Sequence, residues 1–425
     1  MTEHHVDYLI IGGGIAGTTA AEAIRAHDLD GRIAIISKEP YELYSRVLLP
    51  KYIEGAIARE QVFLRKPDDY YKRNISLFIG EEATVVDGER KEVRTRNGTL
   101  FFYKQLLISA GGRVRPWRAE GSDAVPVSRL QTIDDADKLR EQLGGITPRE
   151  VLIVGAGFIT LELLSALVPR RISARILMPE QRYWEKYLDE KGSAFLETFL
   201  ERTQSVSLQR GESITFLRPK KEGNGSIVYT SHGNEFEAGT VAVGMGLQRE
   251  IEPFTGIGIE VDRGLKSNEF LETAVNDIWV AGDIAEQFHP VFQKHMLIGN
   301  WNNAFLQGRT AGINMAMRQL KSGSEQRHST IPLYAIDVAG LHIAFIGDVF
   351  PNGEEAQGRS YVARFQNDIF YERFSIEDGR LVGAVLMNKF EDRRVVERLI
   401  REKVDVAPYL SIFSDSMADL AEQIV

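Results

Sequence analysis

The sequence predicts an α/β fold with two separate βαβ units and a smaller C-terminal α+β domain. Three observations predict it. Two apolar strand segments run into glycine-rich turns that begin at Gly12 and Gly155, and each turn is followed by a helical segment and another apolar strand. After about residue 330 the pattern changes to short strands and then helices. A chain of 425 residues is long enough for two or three domains, each with its own core.

The first βαβ unit begins at residue 6. The uninterrupted apolar run at 6–11 is typical of a central strand of a parallel sheet, which is buried on both faces. Gly12, Gly14 and Gly17 then form a G-x-G-x-x-G turn, a helix is predicted over 18–25, and a second strand over 33–36.

The three glycines of this turn have separate physical roles. Gly12 allows the tight turn, Gly14 lets the backbone approach a pyrophosphate, and Gly17 lets helix and strand pack closely. Free N–H groups at the helix start and the helix dipole then favour phosphate. A carboxylate follows at the spacing expected for a ribose ligand. We therefore predict a dinucleotide site formed by Gly12, Gly14, Ile15, Ala16, Gly17 and Glu39.

The second βαβ unit departs from the pattern. Strand 151–154, the Gly155-Ala156-Gly157 turn, helix 158–168 and strand 174–177 follow in order. Thr160 occupies the third glycine position, where we expect it to displace the helix slightly, and Met178 ends the second strand without offering a ribose-binding carboxylate. We therefore expect this second unit to bind a dinucleotide only weakly.

The composition of the chain excludes several kinds of redox site and partner. The chain has no cysteine, which excludes a catalytic dithiol, a reactive thiolate and a cysteine-ligated iron–sulfur cluster in this chain. A net charge of −9 argues against a general nucleic-acid binder. No apolar run approaches the ~20 residues that span a bilayer, and the polar N-terminus predicts a cytoplasmic protein. No metal site is expected, because the histidines lack metal-ligand spacing: His289, His295, His328 and His342.

Three further motifs carry a family resemblance. Residues 106–113 read Leu-Leu-Ile-Ser-Ala-Gly-Gly-Arg, residues 277–283 read Asp-Ile-Trp-Val-Ala-Gly-Asp, and a helical pattern begins at Trp301. With the glycine turns, they resemble the pyridine nucleotide–disulfide oxidoreductase superfamily over nearly the whole chain. The resemblance implies two Rossmann-like domains of the glutathione-reductase type. It implies a discontinuous FAD-binding domain at 1–114 and 243–320, an NAD(P)-binding-like domain at 115–242, and a C-terminal α+β interface domain at 325–425.

The segment at 41–51 indicates which branch of the superfamily the chain resembles. Its Tyr-Glu-Leu-Tyr-Ser-Arg-Val-Leu-Leu-Pro-Lys sequence resembles rubredoxin reductases and the ferredoxin reductases of oxygenase systems, whereas disulfide-reducing branches have redox cysteines nearby. By this resemblance Arg46 contacts the FAD pyrophosphate, Lys51 the flavin near N5, Asp283 the ribityl chain and Ala83 the adenine. The other implied FAD residues are Ala110, Gly111, Gly282 and Trp301. The implied NAD(P) residues are Gly155, Gly157, Phe158, Ile159, Glu162 and Gly244, with Lys51 and Glu162 beside the reacting rings.

The resemblance implies an FAD-dependent oxidoreductase. Electrons would pass from NAD(P)H through FAD to an external acceptor: rubredoxin, a ferredoxin, a quinone or dioxygen. Two alternatives stay open. One is a flavin-binding scaffold or regulator similar to apoptosis-inducing factor, and the other is an electron-transfer subunit supplied by a partner protein. No nucleic-acid partner and no membrane span are expected, and the chain is a candidate homodimer.

Overall fold

The computed structural model describes residues 2–146, 148–222, 224–351 and 358–424. The chain divides into two compact units. The first comprises Met1–Val47, Arg59–Arg113 and Gln248–Thr330, and the second comprises Leu48–Ala58, Val114–Leu247 and Ile331–Val425. The division into three domains stays a prediction.

The elements are numbered along the chain. The strands are β1 (Glu3–His5), β2 (Tyr8–Ile11), β3 (Ile33–Ser37), β4 (Ile75–Ile79), β5 (Ala83–Asp87), β6 (Glu92–Thr95), β7 (Leu100–Phe102), β8 (Gln105–Ile108), β9 (Arg113–Val114), β10 (Val127–Ser128), β11 (Glu150–Val154), β12 (Ser173–Met178), β13 (Val206–Arg210), β14 (Ile214–Pro219), β15 (Ser226–Thr230), β16 (Glu235–Ala238), β17 (Thr240–Val243), β18 (Leu247–Gln248), β19 (Leu265–Ser267), β20 (Ile278–Val280), β21 (Ala285–His289), β22 (Lys294–Leu297), β23 (Leu333–Val338), β24 (Leu341–Gly347), β25 (Arg359–Gln366), β26 (Phe370–Glu377) and β27 (Arg380–Met387). The α-helices are α1 (Ile15–His27), α2 (Leu49–Glu54), α3 (Pro67–Lys72), α4 (Ile133–Leu143), α5 (Phe158–Leu167), α6 (Glu190–Glu201), α7 (Trp301–Leu320), α8 (Arg393–Glu402), α9 (Leu410–Ser414) and α10 (Leu420–Gln423).

The first unit is built on a parallel sheet with strand order β20-β8-β2-β3-β4. Every residue of β2 and β3 is buried, because both faces of the sheet are covered by apolar clusters. The helix after β2 packs against α7 through glycines. A Cβ atom added at Gly308 would lie 2.1 Å from the Ala16 carbonyl oxygen, and one at Gly312 would lie 2.4 Å from that of Ala20. The two helices are therefore in backbone contact.

The second unit contains its own parallel sheet, with strand order β10-β17-β11-β12-β13. The strands β14, β15 and β16, which lie between β13 and β17 in the sequence, form a separate antiparallel sheet. The last part of this unit is a separate antiparallel sheet with order β23-β24-β27-β26-β25, followed by α8 to α10. The two parallel sheets with crossover helices, together with the C-terminal antiparallel sheet, confirm the predicted fold class.

The C-terminal sheet buries a charge cluster. Arg364 Nε donates to Glu372 Oε2 at 2.5 Å and its Nη2 donates to Asp392 Oδ2 at 2.9 Å. Its Nη1 donates to the carbonyls of Asp415 and Ala418. Arg364 and Glu372 have no exposed side-chain surface. The guanidinium thus joins two strands of the sheet to the C-terminal segment.

Candidate functional site

The glycine turn of the first unit has the geometry of a phosphate cradle. Gly12 has φ +108°, and a Cβ there would lie 2.3 Å from the Ser109 carbonyl oxygen. A Cβ at Gly17 would lie 2.0 Å from the Gly12 carbonyl oxygen. By contrast, a Cβ at Gly14 would meet nothing within 4 Å, and this exposed residue caps α1 without a side-chain hydrogen bond. The helix start is therefore open to an anionic group.

Glu39 lies two residues beyond β3, where the sequence placed a ribose ligand. Tyr44 Oη donates to Glu39 Oε2 and Arg46 Nη2 donates to Glu39 Oε1, both at 2.5 Å. Arg46 Nη1 also donates to the Tyr44 hydroxyl, at 3.1 Å. Burial opposes the charge of Arg46, but the nearby Glu39 carboxylate raises its pKa above the ordinary value. The sequence missed the role of Tyr44, which fixes the orientation of the carboxylate.

Asp283 follows β20 at the start of a 3-10 turn, Gly282–Ile284. Burial raises the pKa of its carboxyl, and the positive charges of Arg249 and Arg46 oppose that rise. Arg249 Nε also donates to the Asp283 carbonyl at 2.9 Å. Within the described ranges of the chain, no side-chain or backbone group donates a hydrogen bond to the Asp283 carboxylate. These oxygens are therefore available as acceptors. Arg249 had no motif to reveal it.

Gly282, the residue before Asp283, packs against the first turns of α1 and α7. With φ +79°, a Cβ there would lie 3.3 Å from Cβ of Ala16 in α1 and 3.7 Å from Cβ of Ala304 in α7. Its amide donates to Gln307 Oε1 at 2.8 Å, and Gln307 in turn donates to Gln287 at 3.2 Å. The position of Asp283 is thus set by close backbone packing and by buried amides.

The remaining predicted FAD residues lie in the same unit. Ala110 and Gly111 follow β8, where Gly111 has φ +68°. Trp301 is the first residue of α7, a helix capped by Asn300, whose side chain accepts from the Asn303 amide at 2.8 Å. Ala83 begins β5. Lys51 is different: it is exposed, lies on α2, and belongs to the second unit.

The second glycine turn accommodates Thr160 without a clash. Thr160 is fully buried, and its hydroxyl donates to the Gly155 carbonyl at 2.7 Å. A Cβ at Gly244 would lie 2.9 Å from that hydroxyl oxygen. In the first unit the small residue is Gly17 on the helix and the hydroxyl belongs to Ser109 on the strand side. In the second unit the hydroxyl belongs to Thr160 on the helix and the glycine is Gly244 on the strand side. Because Gly244 has no side chain, Thr160 fits, and the expected displacement of the helix has no steric cause.

Gly157 caps α5 without a side-chain hydrogen bond, as Gly14 caps α1. Ile159, the second residue of that helix, is half-buried. Met178, in contrast, is fully buried at the end of β12. Position 178 therefore contributes to the core rather than to an exposed surface.

Glu162 lies on α5 beside aromatic side chains. Burial raises the pKa of its carboxyl to about 7, and a hydrogen bond from Tyr334 Oη to Glu162 Oε1, at 3.1 Å, limits the rise. The ring of Phe158 has its centroid 4.0 Å from that of Tyr334 and 4.8 Å from that of Trp184. A carboxyl with this pKa can hold or release a proton near neutral pH.

Among the described residues, no group of three or more His, Asp or Glu side chains could hold a metal ion. No helix in those ranges is long and apolar enough to cross a bilayer.

Comparison with known proteins places this geometry in a family. Residues 6–308 match the family described as "Pyridine nucleotide-disulphide oxidoreductase". The chain is 28% identical over 394 residues to the ferredoxin–NAD(+) reductase component of the anthranilate 1,2-dioxygenase system of Burkholderia cepacia, covering 92% of this chain and 93% of that one. It is 26% identical over 413 residues to the epsilon subunit of the NADH-dependent phenylglyoxylate dehydrogenase of Aromatoleum evansii, covering 96% and 94%.

A solved structure shows the same fold. It is the crystal structure of the covalent putidaredoxin reductase–putidaredoxin complex, with a TM-score of 0.86 at 24% identity, covering 98% of this chain and 97% of that one. The matches confirm the predicted resemblance, the oxidoreductase class and, at the level of the family, the cofactors FAD and a pyridine nucleotide. The chain belongs to the pyridine nucleotide-disulphide oxidoreductase family.

Proposed function

We propose that this chain is an FAD-dependent oxidoreductase that passes electrons from a nicotinamide nucleotide to a small electron-carrier protein without a redox disulfide. The observation that carries the proposal is Gly282–Asp283. Gly282 lies against Ala16 near the open start of α1, and the Asp283 carboxylate next to it lacks a hydrogen-bond donor in the described ranges.

The residues of the first unit fit FAD from end to end. The open start of α1 at Gly14 suits the pyrophosphate, with Arg46 as the nearby cation. Glu39, held by Tyr44 and Arg46, would accept hydrogen bonds from ribose hydroxyls. The Asp283 carboxylate would accept one from a ribityl hydroxyl. When bound, the flavin supplies the exchange between two-electron and one-electron steps that no side chain of this chain can perform.

The absence of cysteine decides the route to the acceptor. With no thiol in the 425 residues, no side chain can relay electrons as a dithiol, so the acceptor must approach the flavin itself. The Burkholderia relative, named as a ferredoxin–NAD(+) reductase component, supports a small iron–sulfur protein as that acceptor. In this proposal Glu162 adjusts protonation beside the nicotinamide.

One relative favours a second candidate function. The Aromatoleum protein is a subunit of an NADH-dependent dehydrogenase and is of nearly equal length to this chain. On that basis the chain would be one subunit of a larger enzyme and would exchange electrons with its other subunits. A stable complex isolated from native cells at stoichiometric composition would favour this candidate.

The experiment compares the purified protein with two variants of position 283. The released flavin should be FAD, and Asp283→Ala should retain it about 10- to 100-fold less tightly, because a hydrogen bond to a charged group contributes roughly 1.5–3 kcal/mol. Asp283→Asn, which keeps an acceptor oxygen, should retain FAD better than Asp283→Ala. As a control, Asp87→Ala at the end of β5 should not change FAD affinity. A protein that takes up no FAD, or equal FAD affinity in all four proteins, would contradict the proposed site.

A further inference from the structure

The two glycine-turn units share a backbone register that can be followed residue by residue. In the first unit the Gly12 amide donates to the Ile36 carbonyl at 2.8 Å. In the second the Gly155 amide donates to the Leu177 carbonyl at 2.9 Å. Gly12 therefore corresponds to Gly155, and Ile36 corresponds to Leu177.

The register continues one residue further along each second strand. The Glu81 amide donates to the Ser37 carbonyl at 2.8 Å, and the Glu212 amide donates to the Met178 carbonyl at 3.1 Å. Met178 is therefore the counterpart of Ser37. It is not the counterpart of Glu39, the carboxylate assigned to the ribose in the first unit.

The counterpart of Glu39 is Glu180. The Gly80 amide donates to the Glu39 carbonyl at 3.3 Å, and the Gly211 amide donates to the Glu180 carbonyl at 3.0 Å. The two glycines share a left-handed conformation, with φ +69° and +70°. The same pair of backbone segments therefore holds a glutamate at the same position in each unit.

The next strand keeps the correspondence. In β5 the pairing register shifts between Ala83 and Val85, and in β14 it shifts between Ile214 and Phe216. Each irregularity begins three positions after the glycine of the preceding turn. Ala83, which the sequence placed against adenine, thus has its counterpart in Ile214.

The side chain of Glu180 is available to a ligand. It is half-buried, and in the described ranges it makes no hydrogen bond or ion pair. Arg175 of β12 and Arg210 of β13 are already paired. Arg175 Nε lies 3.0 Å from Glu150 Oε1, and Arg210 Nη2 lies 2.9 Å from Glu197 Oε2.

We infer that Glu180 is the ribose-binding carboxylate of the second nucleotide site and that it selects NADH over NADPH. The inference rests on the proposed function. A carboxylate here accepts hydrogen bonds from the adenosine ribose hydroxyls and repels a 2′-phosphate. The ribose-binding carboxylate is then at position 180 instead of position 178, and the site still selects NADH over NADPH.

The test is equilibrium dialysis of the FAD-loaded protein with NAD⁺ and NADP⁺, which measures affinity without turnover. We expect the wild type to bind NAD⁺ more tightly than NADP⁺. Glu180→Gln should weaken NAD⁺ about 10- to 100-fold without weakening NADP⁺. Glu190→Gln, which neutralises an exposed carboxylate at the start of α6, should change neither affinity. Flavin absorbance and the midpoint of thermal unfolding check that each variant is folded.

The outcomes separate the inference from the proposed function. If the wild type binds NAD⁺ and Glu180→Gln binds it equally well, the role of Glu180 is wrong and the proposed function stands. A wild type that prefers NADP⁺ likewise overturns the role of Glu180. If the wild type binds neither nucleotide, while retaining FAD, both the nicotinamide part of the proposed function and the inference fail.

Discussion

The Tyr334 hydroxyl donates a hydrogen bond to the Glu162 carboxylate, with 3.1 Å between the two oxygens. Tyr334 comes from β23 in the C-terminal antiparallel sheet, and Glu162 comes from the helix that follows the second glycine turn. Both belong to the second compact unit. The C-terminal sheet therefore contacts α5 and influences the protonation of the Glu162 carboxylate.

The first prediction concerns this carboxylate. Its pKa of about 7 in the folded protein lies above the ordinary value of 4.5. At pH values between these two, the folded state therefore binds more protons than the unfolded state. Stability should therefore fall as pH rises from about 4.5 to 7. Glu162→Gln should remove that part of the pH dependence, measured as the urea midpoint at several pH values.

Tyr334→Phe provides the comparison. Loss of the hydroxyl removes the hydrogen bond that lowers the pKa of Glu162, so the pH-dependent step should move to higher pH. If flavin reduction depends on the same carboxyl, its pH profile should move in the same direction. An unchanged profile in both variants would show that Glu162 does not titrate in this range.

The second prediction tests the contact of α1 with α7. In Gly308→Ala the added methyl group would lie 2.1 Å from the Ala16 carbonyl oxygen, so the helices must separate. We expect a stability loss of roughly 1–3 kcal/mol or more, with weaker FAD retention because both helix starts meet at Gly282. Gly145→Ala is the control, since a Cβ there meets nothing within 4 Å. Equal stability and FAD content in the two variants would contradict the close packing.

The third prediction concerns the buried Arg364 cluster. Arg364→Met would leave Glu372 and Asp392 buried without their cation, at a cost of about 3–5 kcal/mol. Burial already raises the pKa of Glu372, so the unpaired carboxyls would be protonated in acid. The loss should accordingly be smaller at pH 5 than at pH 8.

The matched control for that variant is Arg202→Met. Arg202 pairs with Asp368 at the surface, and the two side chains are 51% and 63% exposed. Such pairs contribute about 0–1 kcal/mol. Chemical denaturation of both variants gives the comparison, and similar losses in the two would show that burial of the Arg364 cluster has no special weight.

The fourth prediction follows from the sequence alone. Oxidised glutathione and lipoamide should not be turned over, because this chain has no cysteine to form a mixed disulfide. A small iron–sulfur protein or a quinone should accept electrons under the same conditions. Disulfide reduction at an ordinary enzymatic rate would contradict the assigned route.

Local sequence patterns predicted the parts of the fold that depend on local chemistry. The glycine turns, the buried strands before them and the helices at Ile15–His27 and Phe158–Leu167 follow from apolar periodicity and backbone freedom. The strands Leu341–Gly347 and Arg380–Met387 lie in the part of the chain after about residue 330 where short strands are predicted. Each of these elements is recognisable from its own residues.

Features that depend on distant pairing were not predictable in this way. Glu180 could be matched to Glu39 only through hydrogen bonds from Gly211 and Gly80, which belong to a later loop in each unit. The space for Thr160 depends on Gly244, which lies in the loop after a different strand of the sheet. Charged residues such as Arg364 are ordinarily exposed, so its burial has no sequence signal.

An anaerobic titration of the FAD-loaded protein with NADH, followed by flavin absorbance, tests most directly whether a nicotinamide nucleotide reduces the bound flavin. We expect one equivalent of NADH per FAD to bleach the flavin completely, since no dithiol is present to take up a second electron pair. No bleaching with NADH or NADPH, or an end point at two equivalents of NADH per FAD, would contradict it.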